Sequence, residues 1–157
     1  MVSSKTTHSI AGFCVGGAFI YLAHPSPFAI GLILVGSQLG ASAPDWLEIA
    51  HWRKQSTWFG LGPDKGVRES VIPHRTITHT LLLWVIFLIY SIVRFITASQ
   101  AVFEFALLAF AISGLTHLLL DIRTVMGIPL LPFGKRYHLN GLKLEKAHKV
   151  QRRSGWI

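Results

Sequence analysis

Read as a pattern of apolar and polar positions, the chain has four apolar runs, roughly 9–23, 28–43, 80–98 and 101–120. A helix needs about 20 residues, with a range of about 17–25, to cross the hydrocarbon core of a bilayer. The third and fourth runs meet that length plainly. The first two are short and rich in glycine and alanine. In them, Gly12/Gly16 and Gly36/Gly40 fall at the small-xxx-small spacing that lets helices approach closely in lipid. They are therefore expected to form a tight hairpin turned at "HPSP". The pattern predicts an all-α fold: a four-span transmembrane helical bundle spanning 1–133, followed by a basic cytoplasmic or interfacial tail, 134–157.

Composition strengthens this picture. The 157-residue chain is 51% hydrophobic and only 14% charged, where a soluble domain carries about 25% charged residues. Its net charge of +8 reads as membrane-flanking lysine and arginine, and not as a nucleic-acid footprint. Cys14, the single cysteine, lies in an apolar run. It excludes an intrachain disulfide and is expected as a small core residue. The start of the chain resembles a signal peptide, but Pro44 after "ASA" is a poor cleavage context, so the first run reads as a retained helix.

Basic residues set the orientation. The turns at 24–27 and 99–100 have none, whereas Arg53, Lys54, Lys65, Arg68 and Arg75 lie in the 44–79 loop and eight more follow Asp121. With Lys5 at the start, this places both termini in the cytoplasm. Arg94, near the outer end of the third run, is the exception and is expected to snorkel to the interface. The tail interleaves leucines with lysines, which suits a segment lying on anionic lipid. The "MGIPLLPFG" stretch before it is expected to run along the interface and roof the cytoplasmic ends.

On that map the metal-capable side chains gather at one level. His8 stands at the inner start of the first run and Asp45 at the inner end of the second, where Pro44 is expected to stop the helix. His74 and His79 precede the third run, and His117 and Asp121 end the fourth. No such group is expected at the outer ends. His117 and Asp121 are four residues apart and share a helix face. His74 and His79 are about 140° apart on a regular helix, so both can turn inward only if the helix begins between them, with Thr76 or Thr78 as its cap. Glu48 adds a carboxylate close to Asp45. His51, His138 and His148 lack a partner at helical spacing.

Imidazole and carboxylate donors without thiolate suit zinc, manganese or iron. Six candidate ligands, His8, Asp45, His74, His79, His117 and Asp121, point towards one or two divalent ions that activate water. Arg75 is the candidate to hold a phosphate oxygen, and Glu48 the candidate catalytic carboxylate. These readings predict a metal-dependent hydrolase of phosphoesters on lipid or amphiphilic substrates. The alternative is a non-enzymatic membrane scaffold with a structural metal. Haem binding fits poorly with two aspartates in the cluster.

The succession "THSIAG", "PD", "HRTITH" and "HLLLDIRTVMGIPLLPF" resembles the YdjM-like family of bacterial inner-membrane proteins, described as membrane-bound metal-dependent hydrolases. The resemblance covers about 7–133 and implies a location in the inner membrane. The ligand order is also similar to that of the zinc phospholipases C and the fungal single-strand nucleases. That likeness implies Asp121 bridging two ions, His8 serving one, and Asp45, a central histidine and His117 serving the other. The chain departs from the pattern after "PD", where Trp46-Leu47-Glu48 follows, and it lacks the later motif for a third ion.

Overall fold

A computed structural model describes residues 5–46, 50–55, 65–70, 77–98, 102–124, 126–140 and 143–146. Four helices carry the fold: α1 (Lys5–Ala23), α2 (Pro27–Trp46), α3 (Leu81–Thr97) and α4 (Val102–Asp121). The first, second and fourth are 19, 20 and 20 residues long and apolar enough to cross a membrane. The third has 17 residues, at the short limit for a span. The expectation thus holds for the fourth run and is reversed for the first three. The first two runs lengthen because α1 starts at Lys5 and α2 continues to Trp46, beyond their apolar stretches. Pro44 does not stop α2. It lies in the last turn, where its missing N–H costs the helix one bond, and its ring is fully buried.

The helices alternate in direction; α4 packs against all three others, and α2 packs against α1 and α4. Close approach on both sides of α2 explains the glycines. A Cβ on Gly12 would lie 2.8 Å from the Ala41 Cβ, and one on Gly16 would lie 2.7 Å from the Ser37 Oγ, so α1 seats directly on α2. Gly36 and Gly40 serve the other side of α2. There a Cβ on Gly36 would stand 2.6 Å from the Ala106 carbonyl oxygen, and one on Gly40 would meet the carbonyl of Phe110. The most extensive helix contact is therefore α2 with α4, and the α1–α2 hairpin is only half of the arrangement. In lipid, where apolar burial alone offers helices little, such backbone approach is the main source of attraction.

Helix α3 joins through Trp84, which fills the space that Gly114 leaves on α4. Its ring stacks on Phe110 at a centroid distance of 5.8 Å, and its Nε1–H donates to the Thr78 carbonyl at 2.8 Å. Ala43, Trp84, Leu118 and Ile128 form the buried apolar cluster at this end of the bundle. Elsewhere the large side chains point outward, including Ile10, Phe13, Val35, Ile86 and Ile96, as suits helices that contact lipid. Cys14 is exposed on α1, so the expectation of a core cysteine is overturned: Gly12 and Gly16 take the inward positions.

The fold is not purely helical. β1 (Ala50–Gln55) and β2 (Lys65–Ser70) form an antiparallel hairpin between α2 and α3. After α4, β3 (Ile128–Pro129), β4 (Arg136–Asn140) and β5 (Lys143–Lys146) form a three-stranded antiparallel sheet. Outside the hydrocarbon, backbone groups are free to pair between strands. In β4, Tyr137 and Leu139 alternate with Arg136, His138 and Asn140, which is the period of a strand. His138 finds its partner across the sheet in Glu145, at 3.6 Å.

This sheet is tied to the helix ends. Leu139 N–H donates to the Ile122 carbonyl at 2.7 Å, and Leu82 N–H, in the first turn of α3, donates to the Leu130 carbonyl at 3.2 Å. Ile128 is fully buried, so this segment closes the bundle.

Candidate metal centre

The cluster forms where four helix ends meet. α1 contributes His8 from its first turn, and α2 contributes Asp45 one residue before its end. The turn leading into α3 contributes His79, and α4 contributes His117 and its last residue, Asp121. His79 is not in the first turn of α3, as the expected caps implied. The helix begins at Leu81 after Thr80, whose side chain makes no capping bond. Thr78 does not cap either: its Oγ1 lies 3.2 Å from the His79 Nδ1, and Thr80 N–H closes the turn on the Ile77 carbonyl. The histidine is thus set by a turn, which gives its ring a direction that a regular helix would deny it.

Asp121 is the hub. Its Oδ1 lies 3.5 Å from the His8 Nε2, and its Oδ2 lies 3.6 Å from both the His79 and the His117 Nε2 atoms. The Asp45 Oδ1 approaches the His79 Nε2 to 3.4 Å and the His117 Nε2 to 3.8 Å. Two groups with mutually close ligand atoms result: His8, His117 and Asp121, and Asp45, His79 and His117. The rings of His8 and His117 stack with centroids 3.7 Å apart and planes 16° from parallel.

The protonation of His117 follows from its surroundings. Its Nδ1 lies 2.6 Å from the Ala41 carbonyl oxygen. Only an N–H is tolerable there, because a bare nitrogen would oppose one lone pair with another. The hydrogen is therefore on Nδ1, which leaves the buried Nε2, without a hydrogen-bond partner, as the ring atom that faces the two carboxylates. An imidazole fixed in this way by a backbone carbonyl is the usual support of a metal-binding histidine.

The spacings agree. Zinc–nitrogen bonds of about 2.0–2.1 Å around a tetrahedral ion put neighbouring donors about 3.3–3.5 Å apart. The observed separations of 3.4–3.8 Å lie near that edge and beyond the usual N–H···O distance of about 2.7–3.2 Å. The donor set thus fits a divalent ion held by imidazoles and carboxylates.

Burial differs within the set. The side chains of His79, His117 and Asp121 are 0–1% exposed and that of His8 is 8% exposed, whereas that of Asp45 is 40% exposed. Asp45 is the edge of the cluster.

Thr124 and Gly127 hold this end in place. The Thr124 Oγ1 and N–H both donate to the Asp121 carbonyl, at 2.7 and 2.9 Å, ending α4 immediately after its last ligand. Gly127 N–H then donates to the Thr124 carbonyl at 3.0 Å. Gly127 has φ +57, and a Cβ there would run into the carbonyl of Tyr137. The "TxxG" that follows "HLLLD" is therefore the device that stops the helix and brings in β4. Its spacing after the ligand pair was the available signal for these two positioning residues.

Of the sequence candidates, five are brought together: His8, Asp45, His79, His117 and Asp121. His74, Arg75 and Glu48 lie outside the described residues, as do His51 with respect to its side chain, and His148. One expectation is overturned. Glu104, near the outer end of α4, is a buried carboxylate at the end of the bundle expected to lack one. It is paired with Arg94 of α3 at 2.7 Å. Arg94, read from its position as a snorkelling residue, is thus held in an interhelical ion pair.

The fold and the cluster define the class: a small helical membrane protein with a histidine–aspartate centre at one end of its bundle. The chain belongs to the YdjM inner membrane protein family, which it matches over residues 2–154. No curated protein and no solved structure matched it.

Proposed function

We propose that this protein is a membrane-bound, metal-dependent hydrolase that cleaves phosphoesters of lipid or other amphiphilic substrates at the cytoplasmic face of the inner membrane. The observation that carries the reading is the fixed tautomer of His117, whose Nδ1–H is committed to the Ala41 carbonyl while its Nε2 faces Asp45 and Asp121. A cation between this nitrogen and the carboxylates would stabilise the arrangement. A bound zinc ion would supply Lewis acidity and a water whose pKa is lowered to about 7; manganese and iron suit the same donors.

The chain's own residues have distinct tasks in this reading. Asp121 offers one oxygen to the His8 side and the other to the His79 and His117 side, so it is the residue able to join two ions. Asp45 is the ligand most open to an approaching substrate. Arg75 is suited to hold a phosphate oxygen, and Glu48 to exchange a proton with water. The basic residues of the 44–79 loop and of the stretch after α4 support a cytoplasmic position for the cluster and for both termini.

A second reading, a structural metal in a non-enzymatic scaffold, is favoured by the near-complete burial of His79, His117 and Asp121. One experiment separates the two. Purified protein is analysed for zinc, manganese and iron, then offered phosphodiester substrates, both lipid and water-soluble. The hydrolase reading expects bound metal and turnover, with both lost in His117→Ala. Bound metal without turnover on any substrate leaves the scaffold, and folded protein that takes up no metal overturns both.

A further inference from the structure

The cluster is reached through a cleft between α1 and α2. The cleft has a volume of about 420 Å³ and is bordered by Lys5, His8 and Ser9 on α1 and by Gln38, Ser42 and Asp45 on α2, with Trp46 at its rim. Its position is informative because each ligand group has one member on its wall, His8 in the first and Asp45 in the second. Among the described residues Asp45 is also the one ligand with substantial exposure. The other ligands are sealed by Ala43, Leu118 and Ile128 on the opposite side.

The walls carry polar side chains where helices in lipid are ordinarily apolar. Gln38, Ser42 and Asp45 stand at i, i+4 and i+7, one stripe along α2. Lys5 and Ser9, at i and i+4, face them from α1. Polar groups at such depth are costly and are kept for function. Gln38 has a second task, which explains why the cleft has a definite width. Its Nε2 donates to the Ser9 carbonyl at 3.2 Å, and its Oε1 accepts from the Ser9 Oγ at 3.0 Å. This clasp joins the two helices at the inner limit of the cleft and leaves the part towards Lys5, His8 and Asp45 open.

The rim fixes the level. Trp46 is 54% exposed at the end of α2, and tryptophan settles at the headgroup layer of a bilayer. Lys5, exposed on the facing wall, then sits where lipid phosphates lie, within reach of an anion. Leu39, 48% exposed beside it, gives the same opening an apolar lip on its membrane side.

We infer that the α1–α2 cleft is the passage and headgroup subsite of this protein: a phosphate-bearing amphiphile enters sideways from the bilayer, its anionic head drawn in by Lys5 and delivered to Asp45 and His8. This rests on the hydrolase reading for what happens next, but not for the passage itself. Gln38 acts by holding the two helices apart, as a positioning residue.

The test uses the full chain in lipid nanodiscs with Cys14→Ser, so that a single introduced cysteine is labelled. Ser42→Cys is modified with a bulky methanethiosulfonate, and removal of bound zinc by EDTA is followed. Blocking the passage is expected to slow removal by about tenfold or more without changing the zinc content. The same label at Val35→Cys, on the exposed flank of α2, leaves the rate unchanged. In parallel, Lys5→Glu is expected to raise KM for an anionic phospholipid substrate with kcat retained, and to raise KM for a water-soluble phosphodiester much less. If Lys5→Glu impairs both substrates equally, the lipid headgroup is excluded as the ligand. Zinc removal that is equally fast with and without the Ser42→Cys label overturns the passage and leaves the hydrolase reading intact, whereas unlabelled protein that takes up no zinc, manganese or iron overturns that reading first.

Discussion

The imidazoles of His8 and His117 lie face to face, 3.7 Å between centroids, although one belongs to the first helix of the chain and the other to the last. Two imidazolium rings would repel at that distance, so the stack requires that at least one ring be neutral. Neutral imidazole is also the form that binds metal. Three histidines and two aspartates in such contact could hold a shared cation.

Removing the hub should therefore do more than remove a ligand. Asp121→Asn retains the shape but reduces the negative charge that faces three imidazoles. Metal affinity is expected to fall by more than the roughly 10–100-fold typical of losing an outer supporting partner, as measured by equilibrium dialysis against zinc. An undiminished zinc content in Asp121→Asn would remove this aspartate from the centre.

Acidity gives a second handle. Ligation needs His8, His79 and His117 without their second proton, so protons and metal compete for the same nitrogens. Metal affinity is expected to rise as pH increases through the histidine range and to fall on acidification. Zinc retained per chain after dialysis between about pH 8 and pH 5, above and below the ordinary imidazole pKa of about 6.5, reads this directly. Retention that is flat over that interval argues for carboxylate ligands alone.

The end of α4 makes a separate prediction. Gly127→Ala places a side chain at a left-handed φ, a strain of about 1–2 kcal/mol, and drives it into the Tyr137 carbonyl. The expected result is a lower unfolding temperature with helix content unchanged, followed by circular dichroism in detergent, and weaker metal retention because the Thr124 stop no longer holds Asp121. The neighbouring Thr124→Val tests the hydroxyl: it removes the Oγ1 bond to the Asp121 carbonyl and keeps the N–H bond to the same oxygen.

Helix approach is tested at Gly40. A Gly40→Val substitution sets a branched side chain against the Phe110 backbone, and overpacking of this kind costs about 1–3 kcal/mol. Because α2 and α4 carry Asp45, His117 and Asp121, the substitution should reduce stability and metal binding together. The control is Gly17→Val, since Gly17 has nothing close to its Cβ position.

How much of this was legible beforehand depends on what each residue answers to. The four helices and the level of His8, Asp45, His117 and Asp121 follow from hydropathy and spacing, because a bilayer allows few other arrangements. The partners of the glycines do not: small-xxx-small spacing marks a close contact, but only the packed fold shows Gly36 and Gly40 turned to α4. The ring directions of the histidines were similarly hidden. His117 is fixed by a carbonyl on another helix, and His79 by a turn that puts the start of α3 after Thr80, two residues past the later of its expected caps. Glu104 was passed over because an acid in the first turn of a span reads as ordinary flanking charge. The strands were missed for another reason, as β4 carries the alternation of a strand inside a stretch whose lysines and arginines dominate the eye.

The ligand order along the chain has a further consequence for how the protein is made. His8 and Asp45 leave the ribosome with the first hairpin, yet Asp121, which His8 and His79 both face, arrives only when the last helix has been laid into the bilayer. A half-inserted chain thus lacks the assembled cluster, and any ion that the cluster takes up would enter as the closing act of biogenesis, a chemical seal on a bundle already assembled.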